Sequence, residues 1–206
     1  SPIREIVDEV IPLQADAELS VAATKSYLCT LSALLQLTAY WTRNQELVRA
    51  LQTLPDALEN IIASPGQFNA EMLNGVNNMV VLGRGFGFAV AKEMALKLKE
   101  VSSIHAEAFS SAEFLHGPVT LVEQGLAILN CLVSDESADS HCKQIDEIAS
   151  RGADIVNLNQ LDNNLHPRIA PLVVLQRFYL DVAGLALSRG FNPDEPKGLN
   201  KVTRTV

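Results

Sequence analysis

Apolar residues along this chain fall into two kinds of run: short blocks that are apolar almost throughout, and longer stretches in which they recur every three or four positions. The first kind suits strands covered on both faces, the second suits amphipathic helices. Asn78–Gly83 (NMVVLG) reads as a buried strand feeding the glycine-rich turn Gly83-Arg84-Gly85-Phe86-Gly87, and a long helix follows. Residues 121–134 hold a second apolar strand (LAILNCLVS), residues 136–151 an amphipathic helix, and residues 153–158 (ADIVNL) a third strand. A fourth, over 169–174, precedes a helix over 175–189. Strands separated by helices need crossover connections, so the pattern predicts a parallel sheet and an α/β protein.

The N-terminal third is patterned differently. IVDEVIPL is a strand-like run ended by Pro12, and a chain opening on a strand without a preceding partner reads as the tail of an earlier unit. Residues 21–41 are helical in period. Thr42 or Asn44 can cap a second helix running to about Ala63, with Pro55 breaking or kinking it. Ser64-Pro65-Gly66 punctuates, and a third helix is expected over 68–76. The closing stretch FNPDEPKGLNKVTRTV is expected to be irregular.

Composition narrows this picture. The 206 residues suffice for a sizeable core, and 48% hydrophobic with only 5% aromatic residues fits helices packed on a sheet better than a β-sandwich. A formal charge of −8 argues against a broad phosphate-backbone footprint, so nucleic acid is not an expected partner, while a small anion stays open because a few local cations can outweigh a remote negative field. Cys29, Cys131 and Cys142 form no C-x-x-C pair and no metal-ligand spacing, which points to reduced thiols, a cytoplasmic setting and no metal. The most apolar stretch, residues 27–42, is short for a bilayer span and is interrupted by Thr30, Ser32, Gln36 and Thr38. A buried or interface helix is expected there, and no secretory signal opens the chain.

Ionisable residues concentrate between Ala91 and Pro118. At helical period Glu93, Lys97 and Glu100 share one stripe at i, i+4 and i+7, while Met94, Leu98 and Val101 take another face. Such a stripe is either a solvated face laced by i,i+4 pairs or a site. The glycine turn before it is equally two-sided: free backbone N–H groups and the helix dipole suit an anion, yet a tight unliganded turn has the same residues. Phe88 stands where a dinucleotide fingerprint needs its third glycine, so no nicotinamide cofactor is expected. His116-Gly117-Pro118 lies where open parallel sheets carry ligand-binding loops. Lone loop histidines are more often structural, and His105 and His141 are weaker candidates still. Lys201 in the tail is by default a solvated lysine.

Taken together, the strings LGRGFGFAVAKEMALKLKEVSSIHAEAFSSAEFLHGP, SVAATKSY and PKGLNKVTRTV resemble the second sugar-isomerase (SIS) domain of the isomerase half of glucosamine-6-phosphate synthase. The tail PDEPKGLNKVTRTV is more similar to stand-alone SIS proteins that act as phosphosugar isomerases or aminosugar-phosphate deaminases. The resemblance implies a three-layer α/β/α sandwich. It makes residues 1–20 the remnant of a preceding SIS domain and linker, and residues 21–206 a second SIS domain with a catalytic tail. It implies an enzyme without cofactor that isomerises or deaminates a hexose or aminohexose 6-phosphate through an enediol or enolamine. By likeness Glu100 is the base and His116 assists ring opening from the neighbouring subunit. Lys201 forms an imine with the carbonyl or polarises it, with Glu93, Lys97, Val21 and Asn200 supporting. A homodimer with a shared site is implied, built partly through the apolar helix over 27–41. The alternatives are a truncated isomerase domain of the glutamine-dependent synthase and a non-catalytic sugar-phosphate sensor. The family's Ser/Thr-rich phosphate loop belongs to the first SIS domain and is not found in this sequence.

Overall fold

A computed structural model describes residues 2–201; Ser1 and residues 202–206, the end of the expected catalytic tail, lie outside the described residues. The elements run α1 (Lys25–Trp41), α2 (Gln45–Ala63), β1 (Asn78–Gly83), α3 (Phe86–Ser102), β2 (His105–Ser110), α4 (Ser111–Leu115), β3 (Ala127–Leu132), α5 (Ala138–Ser150), β4 (Asp154–Asn159) and α6 (Ala170–Ser188). All strand pairs are parallel, in the order β2-β1-β3-β4. Every residue of β1 after Asn78 is buried, because both faces of the sheet are covered. Met79 and Val81 point into a large core beneath α1, α2, α3 and α6, whereas Val80 and Leu82 point into a smaller one shared with Phe114, Ile145 and Ile148 from α4 and α5. The protein is therefore the expected helix–sheet–helix sandwich.

Four expectations change. IVDEVIPL forms no strand: a 3-10 turn, Pro2–Glu5, leads into irregular chain in which Ile6 is 83% and Ile11 56% exposed, and none of it joins the four-stranded sheet. Residues 68–76 form turns rather than a helix. Asn69 Oδ1 accepts from the backbone N–H of Glu71 at 2.9 Å and Met72 at 3.1 Å, a local bond that competes with helix formation. Residues 169–174 are not a strand but open α6, with Pro171 in its first turn; the helix is apolar nearly all round because the core surrounds it. The sheet's remaining strand is β2 (HAEAFS), whose exposed His105 and Glu107 alternate with buried Ala106 along an edge. Helix α2 passes Pro55 unbroken and is capped by Asn44, which accepts from the Leu47 N–H at 3.0 Å. By length and composition α6 would also pass for a membrane span, but most of it is buried in the fold.

The glycines of the β1–α3 turn have a steric role. A Cβ on Gly83 would stand 2.7 Å from the Gly87 backbone, so strand and helix meet at a separation that only glycine permits.

On the sheet's other face His141 of α5 is 2% exposed. Its Nε2–H donates to Asn130 Oδ1 at 2.7 Å, and its Nδ1 lies 2.8 Å from Ser111 Oγ. Burial, with the nearby Arg84 charge, lowers its pKa to about 4, so it is neutral in the folded state. An unfolded histidine titrates near 6.5 and takes up a proton that the folded state refuses. Stability is therefore expected to fall by up to about 3 kcal/mol as pH drops from about 6.5 to 4, and to level off below. Urea denaturation across that range should show the slope, and His141→Gln should flatten it.

Candidate active site

The stripe on α3 is an interface, because α6 packs along that side of the helix. Glu93 and Lys97 are only 7% and 3% exposed, which excludes the solvated-face reading. The Lys97 ammonium touches Glu100 Oε2 and lies 3.5 Å from Glu93 Oε1. Tyr179, from α6, donates its hydroxyl to that same Glu93 oxygen at 2.9 Å. Two carboxylates thus share one buried cation, and the Glu100 side chain, 24% exposed against 4% for Lys97, is the member that reaches solvent. Burial pushes the Glu93 carboxyl up, while Lys97 and the Tyr179 hydrogen bond pull against it. Burial and the Glu93 charge drive the Tyr179 phenol far above its usual range and also raise Tyr27, so both are neutral hydroxyls.

Beside this chain lies a cavity of about 260 Å³, walled by Lys97 and Val101 of α3, Gln176 and Tyr179 of α6, and the segment Ser20–Lys25. That segment is held from both ends. Glu18 accepts from the Thr24 N–H at 2.9 Å, the Ser26 N–H at 3.2 Å and the Ser26 hydroxyl at 2.6 Å, capping α1. Partial burial opposes its ionisation, yet these donors and the Lys201 charge hold it down at about 2. From the other side Ser20 Oγ donates to Asp194 Oδ1 at 2.8 Å, and the Val21 N–H to the Asp194 carbonyl at 2.9 Å. Lys201 returns to the same place, donating to the Ser20 carbonyl at 2.6 Å and standing 3.6 Å from Glu18 Oε2.

Of the residues singled out from sequence, Glu93, Lys97 and Glu100 thus form one chain of contacts. Lys201 donates to the carbonyl of Ser20, a lining residue of the adjoining cavity and the neighbour of Val21 in the chain, while Asn200 is exposed on the tail beside Lys201. His116 is not among them. It ends α4, whose Phe114 belongs to the core on the sheet's opposite face, and it is exposed. Tyr179 and Glu18 were not anticipated. The sole signal for Tyr179 is a phenol inside an apolar run, and nothing local marks Glu18, whose partners are in a later helix and the tail.

The glycine turn at the start of α3 resolves its two readings in an unforeseen way. Gly85 has φ +54, and Asp135, from the loop after β3, puts its carboxylate at the helix N-terminus. Oδ2 accepts from the Phe86 N–H at 2.8 Å and Oδ1 from the Ser137 N–H at 2.7 Å. A Cβ at Gly85 would meet Asp135 Oδ2 at 2.3 Å. The anion that suits this turn is the chain's own.

Residues 72–167 match the SIS domain family model. The isomerizing glutamine–fructose-6-phosphate aminotransferase of Aeropyrum pernix is 35% identical over 94% of this chain, which spans only 36% of that protein. A crystal structure from Silicibacter pomeroyi DSS-3, provisionally described as a phosphosugar isomerase, superposes with TM-score 0.84 at 33% identity, covering 94% of this chain and 62% of that one. A glucosamine-6-phosphate deaminase structure from Thermotoga maritima shares the fold, at TM-score 0.70 and 23% identity, over 90% of this chain and 58% of its own.

Proposed function

This chain carries a SIS domain across residues 72–167, and from that premise we propose that it is the catalytic half of an enzyme that isomerises or deaminates a hexose or aminohexose 6-phosphate. The observation that carries the reading is the contact between partly exposed Glu100 and buried Lys97, which lines a sugar-sized cavity, with the Lys201 amine bonded to the carbonyl of Ser20 from the same lining. In this reading Glu100 removes the proton from C2 or C1 of the open-chain sugar, giving an enediol or enolamine, and returns it to the neighbouring carbon. The buried Lys97 ammonium holds the Glu100 carboxylate in place through its contact with Oε2. Lys201 polarises the carbonyl or joins it as an imine. For a 2-amino aldose, moving the proton from C2 to C1 leaves an imine at C2, which water hydrolyses to ammonia and the ketose phosphate. The sequence needs no redox partner.

His116 belongs in this scheme as a group supplied by a second copy, which is consistent with its place on the far side of the sheet. The apolar outer face of α1, with Leu34 53%, Tyr40 68% and Trp41 81% exposed, supports a homodimer. With the α3 N-terminus filled by Asp135, the sugar's phosphate is gripped by residues beyond this turn. Reduced thiols support a cytoplasmic enzyme, none of the three cysteines being bonded to another. The aminotransferases, of which this chain spans about a third, favour a second reading as the isomerase portion of a glutamine-dependent synthase.

The test uses the full-length protein that the gene encodes. Ammonia release from glucosamine 6-phosphate in the absence of glutamine is the expected result. Product formation only from fructose 6-phosphate with glutamine would replace it by the synthase reading. Saturable binding of both sugars with no turnover would replace it by a sensor.

A further inference from the structure

Glu93 Oε1 is contested by two donors, the Tyr179 hydroxyl at 2.9 Å and the Lys97 ammonium at 3.5 Å. The phenol holds the shorter bond, and Lys97 makes its close contact with Glu100 instead. All three partners of this contest are buried, Glu93 to 7%, Lys97 to 3% and Tyr179 to 8% exposure, so bulk water is a poor substitute for a donor that is lost. Tyr179 and Lys97 also line the cavity, which places the contest at its wall. We propose that Tyr179 is a positioning residue for the proton shuttle: by occupying Glu93, its hydroxyl directs Lys97 onto Glu100.

The inference rests on Glu100 acting as the base, and adds to that reading a residue whose hydroxyl is bonded to Glu93 and acts on the base only through Lys97. Without the hydroxyl, Glu93 recovers the ammonium as its only strong donor and draws Lys97 away from Glu100. A carboxylate that loses its cation holds its proton more tightly. The ionisable groups that bear on Glu93 are Lys97 and Glu100 on its own helix, Tyr179 on α6 and Tyr27 on α1. Glu18 adds to the field at Tyr179 from the entry segment. The phenols stay neutral and Glu18 stays ionised through the working range, so the redistribution falls on Lys97 and the two carboxylates of α3.

Tyr179→Phe removes the hydroxyl and keeps the ring that packs 6.2 Å from Phe178, so the core is preserved. Measured on the full-length protein with glucosamine 6-phosphate, or with whichever sugar phosphate it turns over, kcat should fall about tenfold with KM within about twofold. The acid limb of the pH–rate profile should move upward by about half a unit or more. Packing loss alone would lower activity without moving that limb. A second arm uses Glu93→Gln. With no charge at position 93 to compete for Lys97, adding Tyr179→Phe should cost less than about twofold more. An acid limb coincident with wild type, or losses that multiply in the double variant, would overturn the inference. Glu100→Gln assayed alongside separates the two levels. If it leaves turnover intact, the base assignment fails; if it abolishes turnover while Tyr179→Phe leaves the limb in place, only the role of Tyr179 fails.

Discussion

Replacing Glu100 with glutamine is expected to lower turnover of the sugar phosphate by about 10²- to 10⁴-fold, the usual contribution of a general base. KM should change little, because the amide keeps the shape of the carboxylate and loses only its ability to take a proton. The fold should survive: the Glu100 side chain is 24% exposed and the amide keeps its size. Unchanged thermal unfolding together with lost turnover is the signature of a chemical role. The same variant tests the proposal that two subunits share a site. Mixed with His116→Ala through joint unfolding and refolding, it should recover up to about a quarter of wild-type activity, since half of randomly formed dimers are hybrids with one intact site of two. No recovery, with His116→Ala alone inactive, would place His116 in the same chain's site or outside any site.

The largest loss of stability should come from Arg177, which sits far from that chemistry in purpose. Its guanidinium, 8% exposed at the side chain, pairs with Asp181 at 2.8 Å on the same face of α6. It also donates to the end of α2, reaching the Ile61 carbonyl at 3.2 Å and the Ser64 carbonyl at 2.9 Å. Asp181 in turn accepts from the Gln67 N–H at 2.9 Å. One buried ion pair therefore satisfies the orphan carbonyls of α2 and fixes the turn that follows. Arg177→Leu keeps apolar volume but leaves a buried carboxylate uncompensated, which costs about 3–5 kcal/mol and should lower the melting temperature by roughly 6–20 °C for a domain of this size. Adding Asp181→Leu should restore part of the loss, because the unpaired charge is then gone. By contrast, the exposed pair Arg151–Glu147, with side chains 46% and 50% exposed, should contribute no more than about 0.5 kcal/mol when Arg151 is changed to alanine.

Some elements were legible because their signals are local. Asn78–Gly83 is a strand because it is apolar throughout and ends on glycines, and its limits match. Helix α2 begins where Asn44 offers a cap and survives Pro55 because its apolar face, rather than its propensity, is held by packing. Other elements were not legible because their cause is remote. The block 169–174 has the composition of a buried strand, and only the surrounding core makes it a helix. The edge strand β2 looks like a polar link, and only its pairing with β1 makes it a strand.

The sequence by itself determined the α/β class, the parallel connections and the grouping of Glu93, Lys97 and Glu100, because hydrophobic period and side-chain spacing along one helix are properties of neighbours in the chain. Only the tertiary structure decided that this stripe is buried, that Tyr179 competes for Glu93, and that Glu18 and Ser20 receive Lys201. It also decided that the glycine turn already holds the carboxylate of Asp135. Each of those outcomes depends on desolvation and on the meeting of groups many residues apart. Neither quantity exists until α6, the entry segment and the tail have closed over the face of α3.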